Sequence, residues 1–170
     1  MISKETIQSS YIDVLEEVNN IIPIDKWHVQ PCGIDITTHK SKFGYARNDG
    51  MIFISKYFIG TNSSAKLSDT LKHEFAHLAV GLAQHHNFRF KRVASLFGVG
   101  AECLKHEIND IVKNINYKYT IYAHMVNGQV KEIGGASRKT KKYAQYRLTN
   151  KSSMSINSIK VTHFVFKQNW

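Results

Sequence analysis

The chain has 170 residues, 42% hydrophobic and 11% aromatic, with 23 Lys+Arg against 13 Asp+Glu for a formal net charge of +10. It is long enough for a core without disulfide support and too apolar for disorder, and it lacks the run of about 18 apolar residues that marks a transmembrane helix. Met1–Glu5 has no basic region leading into an apolar stretch, so no signal peptide is expected. Two cysteines, Cys32 and Cys103, make neither a disulfide framework nor a four-cysteine zinc site, which fits a reducing cytoplasm.

The charge is unevenly placed. Residues 1–112 hold 12 Lys+Arg and 12 Asp+Glu, whereas residues 113–170 hold 11 Lys+Arg and a single acid, Glu132. The whole excess therefore sits in the last third, which implies an anionic partner for that segment.

In chain order, residues 4–22 predict an amphipathic helix, with Ile7, Tyr11, Val14, Leu15, Val18 and Ile22 at three- and four-residue spacing and Pro23 as its stop. Residues 27–38 and 43–55 read as extended segments that pair as an antiparallel hairpin, with turn chemistry in Arg47-Asn48-Asp49-Gly50. Residues 64–83 return to helical period through Leu67, Leu71, Phe75, Leu78 and Leu82, with Asn62 or Ser63 as N-cap. Further helices are expected at 87–97, stopped by Gly98, and at 101–115, using Leu104, Ile108, Ile111 and Ile115.

After Asn116 the texture turns to strands. Tyr117 to Val126 precede Asn127-Gly128, a two-residue hairpin signal, and the stretches Tyr143–Leu148 and Ile159–Phe166 also read as strands. The segments Lys139–Lys142 and Lys151–Ser158 read as loops. Tyr119, Ile121, Val126, Val130, Ile159, Val161 and Phe164 are the expected core of this unit.

Chemistry concentrates in His73-Glu74-Phe75-Ala76-His77, mid-helix. Histidines at i and i+4 share a helical face and can present imidazole nitrogens to one zinc ion. The adjacent carboxylate can take a proton from the water that attacks a carbonyl, and zinc lowers the pKa of water toward about 7. A catalytic zinc needs a third protein ligand. His85 or His86, which follow the short link Gly81-Leu82-Ala83-Gln84, could be returned by a chain reversal after the motif helix, and Glu102 is a third candidate.

Several of these segments together resemble the SprT-like metalloproteases, which include the Spartan DNA–protein crosslink proteases. The resemblance spans much of residues 5–110. It is carried by Phe43-Gly44-Tyr45-Ala46-Arg47, Ile52-Phe53-Ile54-Ser55, Thr70 to His77, His86-Asn87-Phe88-Arg89-Phe90 and Leu96-Phe97-Gly98. It implies a zincin-like core, zinc held by His73, His77 and His86, and Glu74 as general base. His86 and Phe90 match the family's histidine and the aromatic four positions on, with Asn87 where glycine is usual. The Ile52–Ser55 strand would flank the cleft and offer an edge to an extended peptide.

Many SprT-like proteins carry a C-terminal zinc ribbon, and its cysteines are absent here. The basic run Arg138, Lys139, Lys141, Lys142, with Tyr143, Tyr146 and Arg147, instead suggests phosphate neutralisation and base stacking, and no base-reading motif accompanies it. The expected fold is thus α+β. A metalloprotease domain at 1–115 comprises helices on a small antiparallel sheet, and a basic β-rich unit at 116–170 resembles a ribbon without cysteines. The expected function is a zinc metallopeptidase acting on DNA-bound or crosslinked proteins, reaching DNA (single-stranded included) through the basic unit and making no use of a membrane. It would be cytoplasmic: nucleoid-associated in a bacterium, or in the host cytoplasm for a phage. The alternative is a non-catalytic nucleic-acid-binding protein with a structural or vestigial zinc site.

Overall fold

The computed structural model describes residues 1–100, 104–149 and 153–170. The protein is mixed α and β, and its chain divides into two units, Met1–Ile115 and Asn116–Trp170. No helix among the described residues is long and apolar enough to cross a membrane.

The first unit is organised by two helices. Helix α1 (Lys4–Ile21) begins with a capping box: the Ser3 hydroxyl accepts the Thr6 N–H at 3.1 Å and Thr6 Oγ1 accepts the Ser3 N–H at 3.2 Å. It buries Ile7, Tyr11, Val14 and Val18. This face packs on helix α2 (Ser64–Val80), which buries Leu67, Leu71, Phe75 and Leu78. Tyr11 and Trp27 close over Phe75, with ring centroids 5.3 and 5.8 Å away. Helix α2 stops short of the expected residue 83 because Gly81 turns the chain at φ +89°, and Leu82 falls in a short 3-10 turn.

Helices α3 (Phe88–Leu96) and α4 (Lys105–Lys113) complete the unit. The first three residues of the helix expected at 101–115 lie outside the described residues. Ser63 occupies the N-cap position of α2, yet its hydroxyl donates to the Glu107 carbonyl at 3.1 Å. The Glu107 carboxylate supplies the cap instead, accepting the Lys66 N–H at 2.6 Å. A carboxylate there also complements the positive end of the helix dipole.

The three-stranded sheet runs β1 (Gly33–Thr37), β3 (Met51–Ser55), β2 (Gly44–Ala46) in space. β2 and β3 form an antiparallel hairpin across Arg47–Gly50, where Gly50 takes φ +88°. β1 departs from the antiparallel pairing expected of residues 27–38. It runs parallel to β3, with Ile34 opposite Ile52 and Ile36 opposite Ile54. The most apolar strand takes the centre, where Ile52 and Ile54 are fully buried. Residues Ile52–Ser55 therefore present no free edge, contrary to expectation, and the edge beside α2 belongs to β2.

The second unit is an antiparallel sheet in the order β5-β4-β7-β6, from β4 (Tyr119–Met125), β5 (Val130–Ala136), β6 (Ser155–Ile156) and β7 (Ile159–Gln168). Ile121, Ala123, Met125, Tyr146, Val161 and Phe164 form its core. Val126 and Val130, expected there, are 54% and 53% exposed. Val126 falls past the end of β4, and Val130 sits opposite His124 on the other face.

Tyr143–Leu148 is not a strand. Helix α5 (Lys141–Ala144) turns Tyr143 and Tyr146 onto Phe164, at 4.6 and 5.3 Å between ring centroids. Spacing of three residues suits a helical turn as well as a strand's irregular end, and the aromatic contacts decide between them. Gly128 takes φ +82° in a hairpin loop closed by the Met125 N–H to the Gln129 carbonyl, one residue longer than the two-residue turn expected. Asn157 and Ser158, both at positive φ, make the tighter turn, between β6 and β7.

Candidate metal centre

Helical spacing puts His73 and His77 on one face of α2, with ring centroids 4.9 Å apart. The chain then reverses. Gly81 turns it at φ +89° and His85 at φ +47°, and Asn87 starts α3 with its side chain accepting the Phe90 N–H at 3.2 Å. A positive φ at a non-glycine residue costs on the order of 1–3 kcal/mol, and at His85 it accompanies the return of the next residue to α2. His86 Nε2 lies 3.1 Å from His73 Nε2 and 3.2 Å from His77 Nε2. These three are the described residues whose ligand atoms converge, all within 4.8 Å of one another. His85 is exposed and outside the group, and Glu102 lies outside the described residues.

The donor set fits a metal. Nitrogens bound at about 2.0–2.1 Å in a tetrahedron lie about 3.3 Å apart, close to the 3.1 and 3.2 Å that separate His86 Nε2 from the other two. Burial pushes His77 down to about 4, helped by the fields of His73 and His86, and burial also lowers His73. Both imidazoles are therefore neutral near pH 7, with lone pairs available. Imidazole nitrogens suit zinc, and also copper, iron and nickel.

Phe90 is the floor of this cluster. Its ring centroid lies 4.9, 4.3 and 4.8 Å from those of His73, His77 and His86, and it is buried. In the sequence it reads as an inward helical residue and a family aromatic. That it touches all three histidines becomes visible only once α3 folds back.

Glu74, next along α2, is only 6% exposed. Burial raises its pKa to about 7, while a hydrogen bond from the Ala46 N–H and the field of Lys42 oppose the rise. Ala46 can donate because β2 is an edge strand. Arg47 and Phe43 bond back to β3, so the intervening Ala46 N–H points outward. The sheet comes this close to α2 because residue 44 is glycine: a Cβ there would lie 2.9 Å from Thr70 Cγ2. Asp69, one turn before His73, accepts from Lys66 Nζ at 2.6 Å and from the Gly100 N–H at 2.7 Å. Lys42 and Ala46 are site neighbours that motif spacing does not reveal, because each is defined by a tertiary contact, whereas Asp69 lies beside His73 by helical spacing.

No family model matches the chain, and no curated protein is similar to it at a significant level.

In the second unit the basic run is placed by chain contiguity rather than by convergence. Arg138, Lys139, Lys141 and Lys142 are exposed, with Lys139 Nζ 5.4 Å from the Tyr119 ring and Lys142 Nζ 5.6 Å from the Tyr143 ring. Tyr143 is half-buried against Phe164. Tyr146 is a core residue whose hydroxyl donates to the Val161 carbonyl at 3.2 Å and accepts the Met154 N–H at 2.7 Å. Arg147 is exposed, on the rim of a shallow depression it shares with Leu148, Thr162 and His163.

Proposed function

We propose that the chain is a zinc metallopeptidase of the SprT-like type, with a zincin-like first unit, acting in the cytoplasm on proteins bound or crosslinked to DNA. The observation that carries the reading is the convergence of the three Nε2 atoms beside a buried glutamate held near pKa 7. His73, His77 and His86 would hold the ion, which when bound would polarise the scissile carbonyl and acidify water. Glu74 would take the proton of the attacking water and pass it to the leaving amine. A carboxylate with a pKa near the working pH is suited to both halves of that transfer.

Association with nucleic acid is supported by charge. Residues 113–170 carry 11 Lys+Arg against one acid. A polyanion that gathers both enzyme and substrate raises their local concentration, so the cleft needs little sequence preference. The alternative, a closed structural site, requires a fourth protein ligand, and among the described residues only the three histidines gather. The test is metal content of the purified protein together with proteolysis of a DNA-binding protein, with and without single-stranded DNA. Stoichiometric zinc and DNA-stimulated cleavage are expected. A protein that binds no metal under any loading condition refutes the reading.

A further inference from the structure

The second unit's sheet has a face that its core does not use. Residues directly opposite one another share a face, so Ile121, Ala123, Phe164 and Phe166 turn toward the core. Their neighbours Tyr122, His124, His163 and Val165 turn away. On that outer face the imidazoles of His124 and His163 lie stacked, centroids 4.5 Å apart and 19° from parallel. Tyr122 is opposite Val165, which is 41% exposed, and Val130 extends the patch from β5.

The arrangement is held in place. The ladder shifts register between His124 and Met125, leaving Thr162 as an extra residue on β7. Its hydroxyl lies 2.9 Å from the His124 carbonyl and 3.0 Å from His163 Nδ1. Such bulges re-aim side chains, and this one fixes the His163 ring. The helix bearing Lys141, Lys142 and Tyr143 packs on Phe164, on the opposite face of the sheet. The basic run and the half-buried rings of Tyr122, His124 and His163 are thus on different faces of one sheet.

The geometry points to this outer face as a stacking platform for the unpaired bases of a single-stranded nucleic acid. Base–ring stacking tolerates any sequence and is a recurring device on exposed sheet faces. The occupant follows from charge: the unit carries a large basic excess, with Lys167 on the platform's own face two residues beyond Val165, and Arg147 at its rim beside His163. Glu132, the unit's one acid, lies opposite Tyr122, where it can accept from a base amino group. The inference rests on the nucleic-acid part of the proposed function and locates it away from the basic run Arg138–Lys142.

Fluorescence anisotropy of the full-length protein with oligo(dT) and oligo(U), across a salt series, tests it. The Tyr122→Ala/His163→Ala protein, checked for unchanged circular dichroism, is expected to bind about tenfold or more weakly with an unchanged salt slope, since rings neutralise no phosphate. Tyr122→Phe, which keeps the ring, should bind as wild type. Equal loss on both oligomers marks the sugar as unread, and loss on one alone identifies the preferred strand; either supports the platform. Wild-type affinity in the double variant overturns it while leaving nucleic-acid association intact. So does a variant that changes only oligomeric state, which would assign the face to a second copy of the chain. No binding by the wild type refutes both the platform and nucleic-acid association.

Discussion

Replacing Glu74 with Gln should change how stability responds to pH, independently of any effect on catalysis. In the folded chain, burial raises this carboxyl to about 7 from an ordinary value of 4.5, against the pull of the Ala46 N–H and Lys42. The unfolded chain therefore releases the proton first. A raised folded pKa contributes stability that is complete below about 4.5 and is lost as pH rises through about 7. At about 1.4 kcal/mol per pKa unit, the gap corresponds to about 3 kcal/mol. Glutamine cannot ionise, yet its carbonyl can still accept from Ala46. Urea unfolding of metal-free protein, measured from about pH 5 to about pH 8, should thus show wild type losing on the order of 2–3 kcal/mol relative to Glu74→Gln. The other titrating groups are common to both proteins and drop out of the comparison to first order. Parallel stability curves across that range would refute the claim that Glu74 is buried and forced to ionise at a cost.

His86→Ala should lose stoichiometric zinc while His85→Ala retains it, as read by metal analysis after dialysis, because only His86 converges with His73 and His77. Nuclear magnetic resonance titration of metal-free protein should place the His77 midpoint near 4, well below the ordinary histidine value, since burial and two neighbouring imidazoles favour its neutral form. Leu71→Ala, at a fully buried position on α2, should cost about 3–5 kcal/mol in chemical denaturation. Gly44→Ala should destabilise by about 1–3 kcal/mol and reduce peptidase turnover more than zinc content, since the added methyl would push β2 off Thr70 and carry the Ala46 N–H away from Glu74.

Helices α1, α2 and α3 are legible in the sequence because their apolar stripes carry the 3.6-residue period, and the stops of α1 and α3, Pro23 and Gly98, carry local backbone chemistry; the earlier end of α2 at Gly81 is not read, because Leu82 continues the apolar stripe. The Arg47–Gly50 turn is legible for the same reason. What escapes is decided by contacts distant along the chain. Nothing local distinguishes β1 pairing parallel with β3 from a hairpin, because Ile34 and Ile36 fit either register. The cap of α2 looks like Ser63 until Glu107, more than forty residues on, is brought to the Lys66 N–H at 2.6 Å. Tyr143 and Tyr146 look like nucleic-acid contacts in a basic run, but their rings are drawn onto Phe164. In the metal cluster, His73 and His77 follow from helical spacing alone. His86 over His85 follows from a resemblance and is distinguished geometrically by a reversal at two positive-φ residues.

The most direct test compares zinc-loaded wild type and Glu74→Gln on a protein substrate bound to single-stranded DNA, with zinc content matched between the two enzymes. The expected result is cleavage by wild type and a rate reduced by about 100-fold or more in Glu74→Gln, the range for removing a general base. Equal rates, or no cleavage by the fully zinc-loaded wild type, would contradict the assignment of the His73–His77–His86 cluster and Glu74 as a peptidase centre.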